Sequence, residues 1–217
     1  MVLALILLLW AVDAVARVAA QSVASQRIQA AAGLDGRPEV RVRGPLFLPQ
    51  LFGGSYGRLE VDLDEVIRDG LRLAPAHVDL HGLRLPFGDL VGGAVDRVEV
   101  ERTTARAQVG YDDLNRWLAQ QGQQLTVSAG PSGGARVDGS VSVAGQPVQV
   151  GGEVSLSVED GRVRVSPAPA GGEPSATPFA FTLPLGDLPY GQRLTAVRPG
   201  PQGLQVEAEG TDVVLER

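Results

Sequence analysis

The chain has no cysteine and no lysine, one methionine, two histidines, and aromatic residues at only 5% of its 217 positions. Without cysteine there is no disulfide framework and no thiolate metal site, and both the cytoplasm and a bacterial envelope would accommodate such a chain. All nineteen basic residues are arginine, a bias that codon usage in a GC-rich genome accounts for. They stand against 25 acidic residues, the formal net charge is −6, and no basic cluster stands out, which argues against a nucleic-acid partner. Phosphate-binding glycine motifs of the Walker or dinucleotide type are missing.

What is present suits a folded, strand-rich domain. Hydrophobic residues make up 44% and charged residues 20%, a balance that favours folding over disorder. The 28 glycines and 15 prolines are spread along the chain, as they are where short turns separate strands.

The N-terminus reads differently from the rest. MVLALILLLWAV, Met1 to Val12, carries no charge. As a helix it would span about 18 Å, short of the ~30 Å hydrocarbon core of a bilayer. The charges through Ala20 are Asp13 and Arg17, four apart and able to pair on one helix face. No basic segment precedes the apolar run, and Ala14-Val15-Ala16 is a weak cleavage signal. We therefore expect a signal anchor or signal peptide whose start lies inside a longer membrane segment; the competing reading is a buried helix of a soluble domain. From Asp13 to Ala32 the chain is alanine-rich and free of glycine and proline, which favours helix, with Val12, Val15, Ala19, Val23 and Ile28 as its apolar stripe. Gly33 ends it. Residues 1–32 are expected as a signal or anchor segment and helix, and 33–217 as one β-rich domain.

Beyond Pro38 the hydrophobic period changes from about 3.6 to 2. Alternation marks strands at 39–43, 58–63, 71–85 with a break at Pro75, 95–109, 125–129, 137–143, 148–158, 163–165, 179–183 and 204–215. Each has one apolar and one polar face, as half-solvated antiparallel strands do. Pro45 to Phe52 suits a turn or two of helix. Tyr111 to Gln121 suits a better one, with Leu114, Trp117 and Leu118 at i, i+3 and i+4 and acidic residues in its first turn. PAPAGGEPSATP, 167–178, reads as a surface loop. About ten one-sided strands have few helices to cover them. Either the sheet rolls onto itself as a barrel or sandwich, or it curls around a helix and leaves an apolar channel.

Candidate reaction centres are weak. GGSYG, Gly53 to Gly57, matches the G-x-S-x-G pattern of a hydrolase elbow, which would make Ser55 the nucleophile. An elbow needs a strand before the serine and a helix after it; here an oily loop precedes and an alternating strand follows. A glycine-permitted turn is the better reading. His77, Asp79 and His81 share one strand face and supply three potential Zn²⁺ ligands, but on the polar side and with no fourth group. No carboxylate sits in an apolar setting that would suit it for acid–base work. We expect no enzyme, no metal and no cofactor.

Two oily clusters remain: Leu46, Phe47, Leu48, Leu51 and Phe52, then Leu85 to Val91. Exposed clusters of this kind meet a membrane or a ligand; the alternative is a core plug between sheet layers.

The same residues carry a family likeness. It rests on VRVRGPLFLPQLFGGSYGRLEV (40–61), VDLHGL (78–83), YDDLN (111–115), LPYGQRL (188–194) and QGLQV (202–206), behind an alanine-rich helix that starts with Asp13. The chain resembles the LmeA-like phospholipid-binding proteins of actinobacterial envelopes, most specifically at Gly44 to Tyr56. The resemblance implies a non-enzymatic phospholipid binder with a tubular lipid-binding-like fold, an extracytoplasmic place near the inner membrane, and a part in lipoglycan or envelope-lipid assembly. It brings no fixed catalytic or headgroup residues. The fold class expected is thus α+β and β-rich: a long curved antiparallel sheet wrapped around helices with an apolar groove, behind a membrane-directed N-terminal helix.

On that reading the partners are phospholipid and a membrane surface. Phe47, Leu48, Leu51, Phe52, Phe87 and Leu90 would form the mouth of the groove, and Tyr56, Leu114, Trp117 and Leu118 its lining. Arg41, Arg43 or Arg58 would meet the phosphate. The alternatives left open are a membrane-tethered structural β domain without ligand and, more remotely, an esterase using Ser55.

Overall fold

Thirty-one consecutive residues without glycine or proline form a single helix, α1 (Val2–Ala32), which Gly33 ends in the left-handed region at φ 61°. The computed structural model describes residues 2–68, 70–92, 97–143, 146–160, 162–168, 181–183 and 192–216. After α1 come β1 (Glu39–Arg43), α2 (Leu48–Gly53), β2 (Ser55–Leu63), β3 (Val66–Arg68), β4 (Leu71–Leu73), β5 (Ala76–Arg84), α3 (Phe87–Gly92) and β6 (Arg97–Gly110). Then follow α4 (Tyr111–Gln120), β7 (Gln124–Ala129), β8 (Ala135–Val143), β9 (Gln146–Glu159), β10 (Arg162–Pro167), β11 (Phe181–Leu183), β12 (Arg193–Pro199) and β13 (Gly203–Glu216).

The fold is β-rich and antiparallel with few helices, as the alternation requires. The strands divide, however, between a six-stranded sheet ordered β1-β2-β5-β6-β13-β12 and a five-stranded sheet ordered β11-β10-β9-β8-β7, with β3 and β4 as a separate pair. The reason is local. The chain leaves the first sheet at Gly110, makes α4, builds the second sheet by successive hairpins, and returns as β12 and β13. Segments β3, β12 and α3 were not legible from the alternation. The expected loop at 167–178 lies, beyond Ala168, outside the described residues.

Two apolar cores result. The larger joins α4, through Leu114, Trp117 and Leu118, to Val127, Val137, Val154 and Val163 of the second sheet and to Val109, Leu194 and Leu204 of the first. The smaller lies at the other end of the first sheet. It holds Val42, Phe47, Tyr56, Leu83, Val100 and Val213, with Ala16 and Ala20 of α1 packed against them.

Within the smaller core the alternation of the first sheet is interrupted. Tyr56 and Leu59 pack in one cluster although they are three apart, and so do Leu80 and Leu83. Residues three apart lie on opposite faces of a regular strand, so the alternation is reset between them. The reset positions Gly57, Gly82, Glu101 and Asp212 line up across β2, β5, β6 and β13. Gly82 and Asp212 supply it with left-handed φ of 64° and 51°.

The face α1 turns to the sheet is not the valine stripe. Val12, Val15 and Val23 point outward, at 49%, 71% and 47% exposure, while Ala16 and Ala20 meet the core. Small side chains let the helix approach the strands closely, which valines would prevent. Docking starts at Asp13. Ahead of it Leu3, Ile6, Leu7, Leu8, Leu9 and Trp10 are all exposed.

Candidate functional site

The candidate site is built where β1 ends, β2 begins, β5 ends and β6 begins. Pro45 and Pro49 frame α2, with Pro49 in its first turn, where a missing N–H costs nothing. Gly54 closes α2 in the left-handed region at φ 63°. A side chain there would come within 3.0 Å of Pro86 Cα and 3.1 Å of the Leu85 carbonyl, and Leu85 N–H donates to the Gly54 carbonyl at 2.9 Å. This is the work of the GGSYG glycines: Gly54 joins α2 to the segment leading into α3. Ser55 opens β2 opposite Arg84, away from both histidines.

Asp13 fastens the assembly to α1. It is only 5% exposed, and its Oδ1 accepts the N–H groups of Phe47 and Leu48, each at 2.7 Å. Arg17 pairs with Asp13 Oδ2 at 3.3 Å, the i, i+4 pair expected from spacing, and donates to the Pro45 carbonyl at 3.4 Å. Arg17 Nε is buried and has no hydrogen-bond partner among the described residues.

The expected mouth residues separate. Phe52 is 68% exposed, and its ring centroid lies 5.3 Å from that of Phe87, also at the surface. Leu46, just ahead of α2, is exposed too. Phe47 is 1% exposed, its ring 6.3 Å from that of Tyr56 inside the smaller core. Leu48 and Leu51 are half-buried. The side chain of Leu90 lies outside the described residues. Of the expected lining, Tyr56 belongs to the smaller core and Leu114, Trp117 and Leu118 to the larger, so the structure does not bring the four together.

Arg41, Arg43 and Arg58 are engaged by carboxylates on the polar face. Arg41 pairs with Glu39 and Asp62, both at 2.6 Å. Arg43 meets Glu60 at 2.7 Å; Arg58 meets Asp79 at 2.7 Å and Glu60 at 3.3 Å. The hydrogen bond from Arg43, foremost, holds the Glu60 carboxyl below the usual carboxylate range, against the opposing effect of burial. His77 sits in the same network, with Nδ1 2.5 Å from Asp62 and Nε2 3.2 Å from Asp79. Both ring nitrogens are occupied by carboxylates, and no cluster of three metal-ligating side chains occurs among the described residues.

Cavities open on the surface of the described residues. One, of about 630 Å³, runs between α1 and β1 and is lined by Arg17, Val18, Ser22, Ser25, Val40 and Arg43 among others. A smaller one, of about 100 Å³, lies at the reset row beside Gly82, Glu101 and Asp212. Both are open to solvent and mix polar with apolar walls. The groove beside α1 was missed from sequence because no periodicity reports where a helix and a sheet edge part.

A family model described as LmeA-like phospholipid-binding matches residues 11–209, from the last turn before Asp13 to the middle of β13. The chain belongs to the LmeA-like phospholipid-binding family. No match was found among curated proteins or among solved structures. The LmeA-like match covers α2, α4, the second sheet, the docked part of α1 and the first sheet up to the middle of β13. Among the described residues one helical stretch, Ile6–Ala30, is long and apolar enough to cross a membrane.

Proposed function

We propose that this protein binds phospholipid at the surface of a membrane in the bacterial envelope, held there by α1, and presents or transfers the lipid without chemical change, in support of lipoglycan or envelope-lipid assembly. The observation that carries the reading is the family match over 11–209. The exposed apolar run of α1, together with exposed Leu46, Phe52 and Phe87, supports it, since apolar surface of this kind gains free energy on entering a bilayer. Moving a lipid demands that its chains leave one apolar host for another, because each CH₂ exposed to water costs about 0.8 kcal/mol. On this reading the lip at Phe52 and Phe87 covers the chains as they leave the bilayer. The wrapped apolar groove expected from the one-sided strands belongs to this proposal.

A second reading is favoured by one observation: Leu114, Trp117 and Leu118 are buried together in the larger core. Side chains committed to a core suit a membrane-tethered structural domain that takes no lipid. Native mass spectrometry of the full chain, released from detergent micelles, separates the two. Co-purified phospholipid in stoichiometric amount supports the first reading. A protein that stays lipid-free after incubation with phospholipid vesicles overturns it.

A further inference from the structure

The groove between α1 and β1 has the parts of an anion site at one end. Its long walls are the docked stretch of α1 and the whole of β1. Among the described residues β1 is the outermost strand of its sheet and pairs only with β2, so its far edge carries backbone groups without a strand partner there. The two ends differ. At one, Ser25 Oγ donates to the Pro38 carbonyl at 2.6 Å, near Glu39. At the other, Arg17 and Arg43 flank Gly44.

Arg17 differs from the other arginines of this region in how it is held. Arg41, Arg43 and Arg58 have carboxylates at 2.6–2.7 Å. Arg17 has contacts of 3.3 and 3.4 Å and a buried Nε with no partner. Its carboxylate neighbour, Asp13, is already satisfied by two backbone N–H groups at 2.7 Å. Both contacts are made by Nη2, so among the described residues Nη1 keeps its donors for the groove, and a guanidinium fork matches the oxygens of a phosphate. One turn before Arg17 the charged part of α1 stops, and the exposed apolar residues from Leu3 to Val12 begin.

We propose that the Arg17 end of this groove holds the phosphodiester of a phospholipid whose acyl chains lie along the exposed apolar side of α1. The inference rests on the phospholipid-binding reading above and gives it a headgroup site. Arg17 supplies the main donors, with Arg43 at the rim. Ser22 and Gln21 line the polar wall where the rest of the headgroup sits, and Val18, 66% exposed, leads toward the chains. Glu39 occupies the far end, which keeps a second anion out.

The test uses the full-length protein in dodecylmaltoside micelles, titrated with dihexanoyl phosphatidylglycerol and, in a parallel arm, with inorganic phosphate. Loss of a charge-assisted hydrogen bond predicts that Arg17→Gln binds the lipid about tenfold more weakly than wild type. Arg17→Lys should fall between the two. Ser22→Phe, which fills the groove and leaves the Asp13–Arg17 pair untouched, should weaken binding to a similar degree as Arg17→Gln. Inorganic phosphate should bind more weakly than the lipid. Equal affinity in Arg17→Gln and wild type overturns this site while the phospholipid-binding reading stands. Wild-type affinity in Ser22→Phe overturns it too, since the arginine would then act only through Asp13. Inorganic phosphate binding as tightly as the lipid shows a free-anion site and overturns the lipid assignment. Wild type that binds no lipid overturns both the site and the reading beneath it.

Discussion

Asp13 in the middle of α1 accepts a 2.7 Å hydrogen bond from the backbone N–H of Leu48 in the first turn of α2. The helix that carries the apolar N-terminal run is thus fastened to the lip by one carboxylate. The Leu48 bond, before all else, holds Asp13 below the usual carboxylate range; burial opposes it, and the Phe47 bond and Arg17 add to it. A carboxylate whose pKa is lowered on folding stabilises the protein above its unfolded value, about 3.9, and loses that effect as pH falls through the folded value. Asp13→Asn should therefore lower the melting temperature at neutral pH, and its difference from wild type should shrink at about pH 3. Thermal melts at both pH values decide this; an equal difference at both would mean the charge is not what holds α2.

His77 gives the opposite sign. Its hydrogen bond to Asp62 is the main cause raising its pKa; burial opposes it, and the charges of Asp62 and Asp79 add to it. A histidine whose pKa is raised on folding contributes stability that is fully present below about 6.5, the unfolded value. That contribution is lost as pH rises through the folded value above it. Urea unfolding followed from about pH 6 to pH 9 should show wild type losing stability across this window and His77→Gln losing less. Parallel curves for the two proteins would exclude His77 as the source of the slope.

Gly82 and Gly57 make a paired test of the reset row in the first sheet. Gly82 holds φ 64°, and a methyl group built on it runs into the Glu101 side chain. Gly57 has no atom within 4 Å of such a methyl group. Gly82→Ala should cost about 1–2 kcal/mol or more, the penalty for a left-handed non-glycine residue plus the collision. Gly57→Ala should stay within about 0.5 kcal/mol of wild type. Chemical denaturation of both variants checks the pair; equal costs would mean the row does not depend on the Gly82 backbone.

That row was written in the sequence as a change of phase. In β6, Val98 and Val100 give way to Thr103, Ala105, Ala107 and Val109; in β13, Leu204, Val206 and Ala208 give way to Val213. Alternation thus revealed the strands, the α4 stripe of Leu114, Trp117 and Leu118, and the glycine turn at GGSYG. It could not reveal how strands are shared between two sheets, because pairing depends on residues far apart in the chain. Nor could it place the site. Val15 and Val23 look like a docking face by hydrophobicity, but helix-to-strand distance selects Ala16 and Ala20 instead. Arg17, next to Asp13, gave only the signal of an i, i+4 pair, and its unpartnered Nε exists only once α1 lies on β1.

Phe47 and Phe52, five residues apart on the same lip, are expected to separate stability from membrane binding. Phe47 is 1% exposed and packs with Tyr56 in the smaller core. Its truncation to alanine removes a fully buried ring and should cost about 3–5 kcal/mol. Phe52 is 68% exposed beside Phe87, and Phe52→Ala should leave stability within about 0.5 kcal/mol of wild type. Its effect should appear at the bilayer. An aromatic side chain transferred from water gains about 1.5–3 kcal/mol when fully buried, so partial insertion predicts a loss of roughly fivefold to tenfold in vesicle affinity. The α1 run would mask so small a change in the intact protein at equilibrium. The comparison therefore belongs in full-length chains carrying Leu7→Asp and Leu8→Asp, which weaken insertion of α1 without touching the docked residues from Asp13 onward. Vesicle flotation of that background with and without Phe52→Ala reads the lip alone. Identical flotation would place Phe52 outside the membrane contact and leave α1 as the protein's hold on the bilayer.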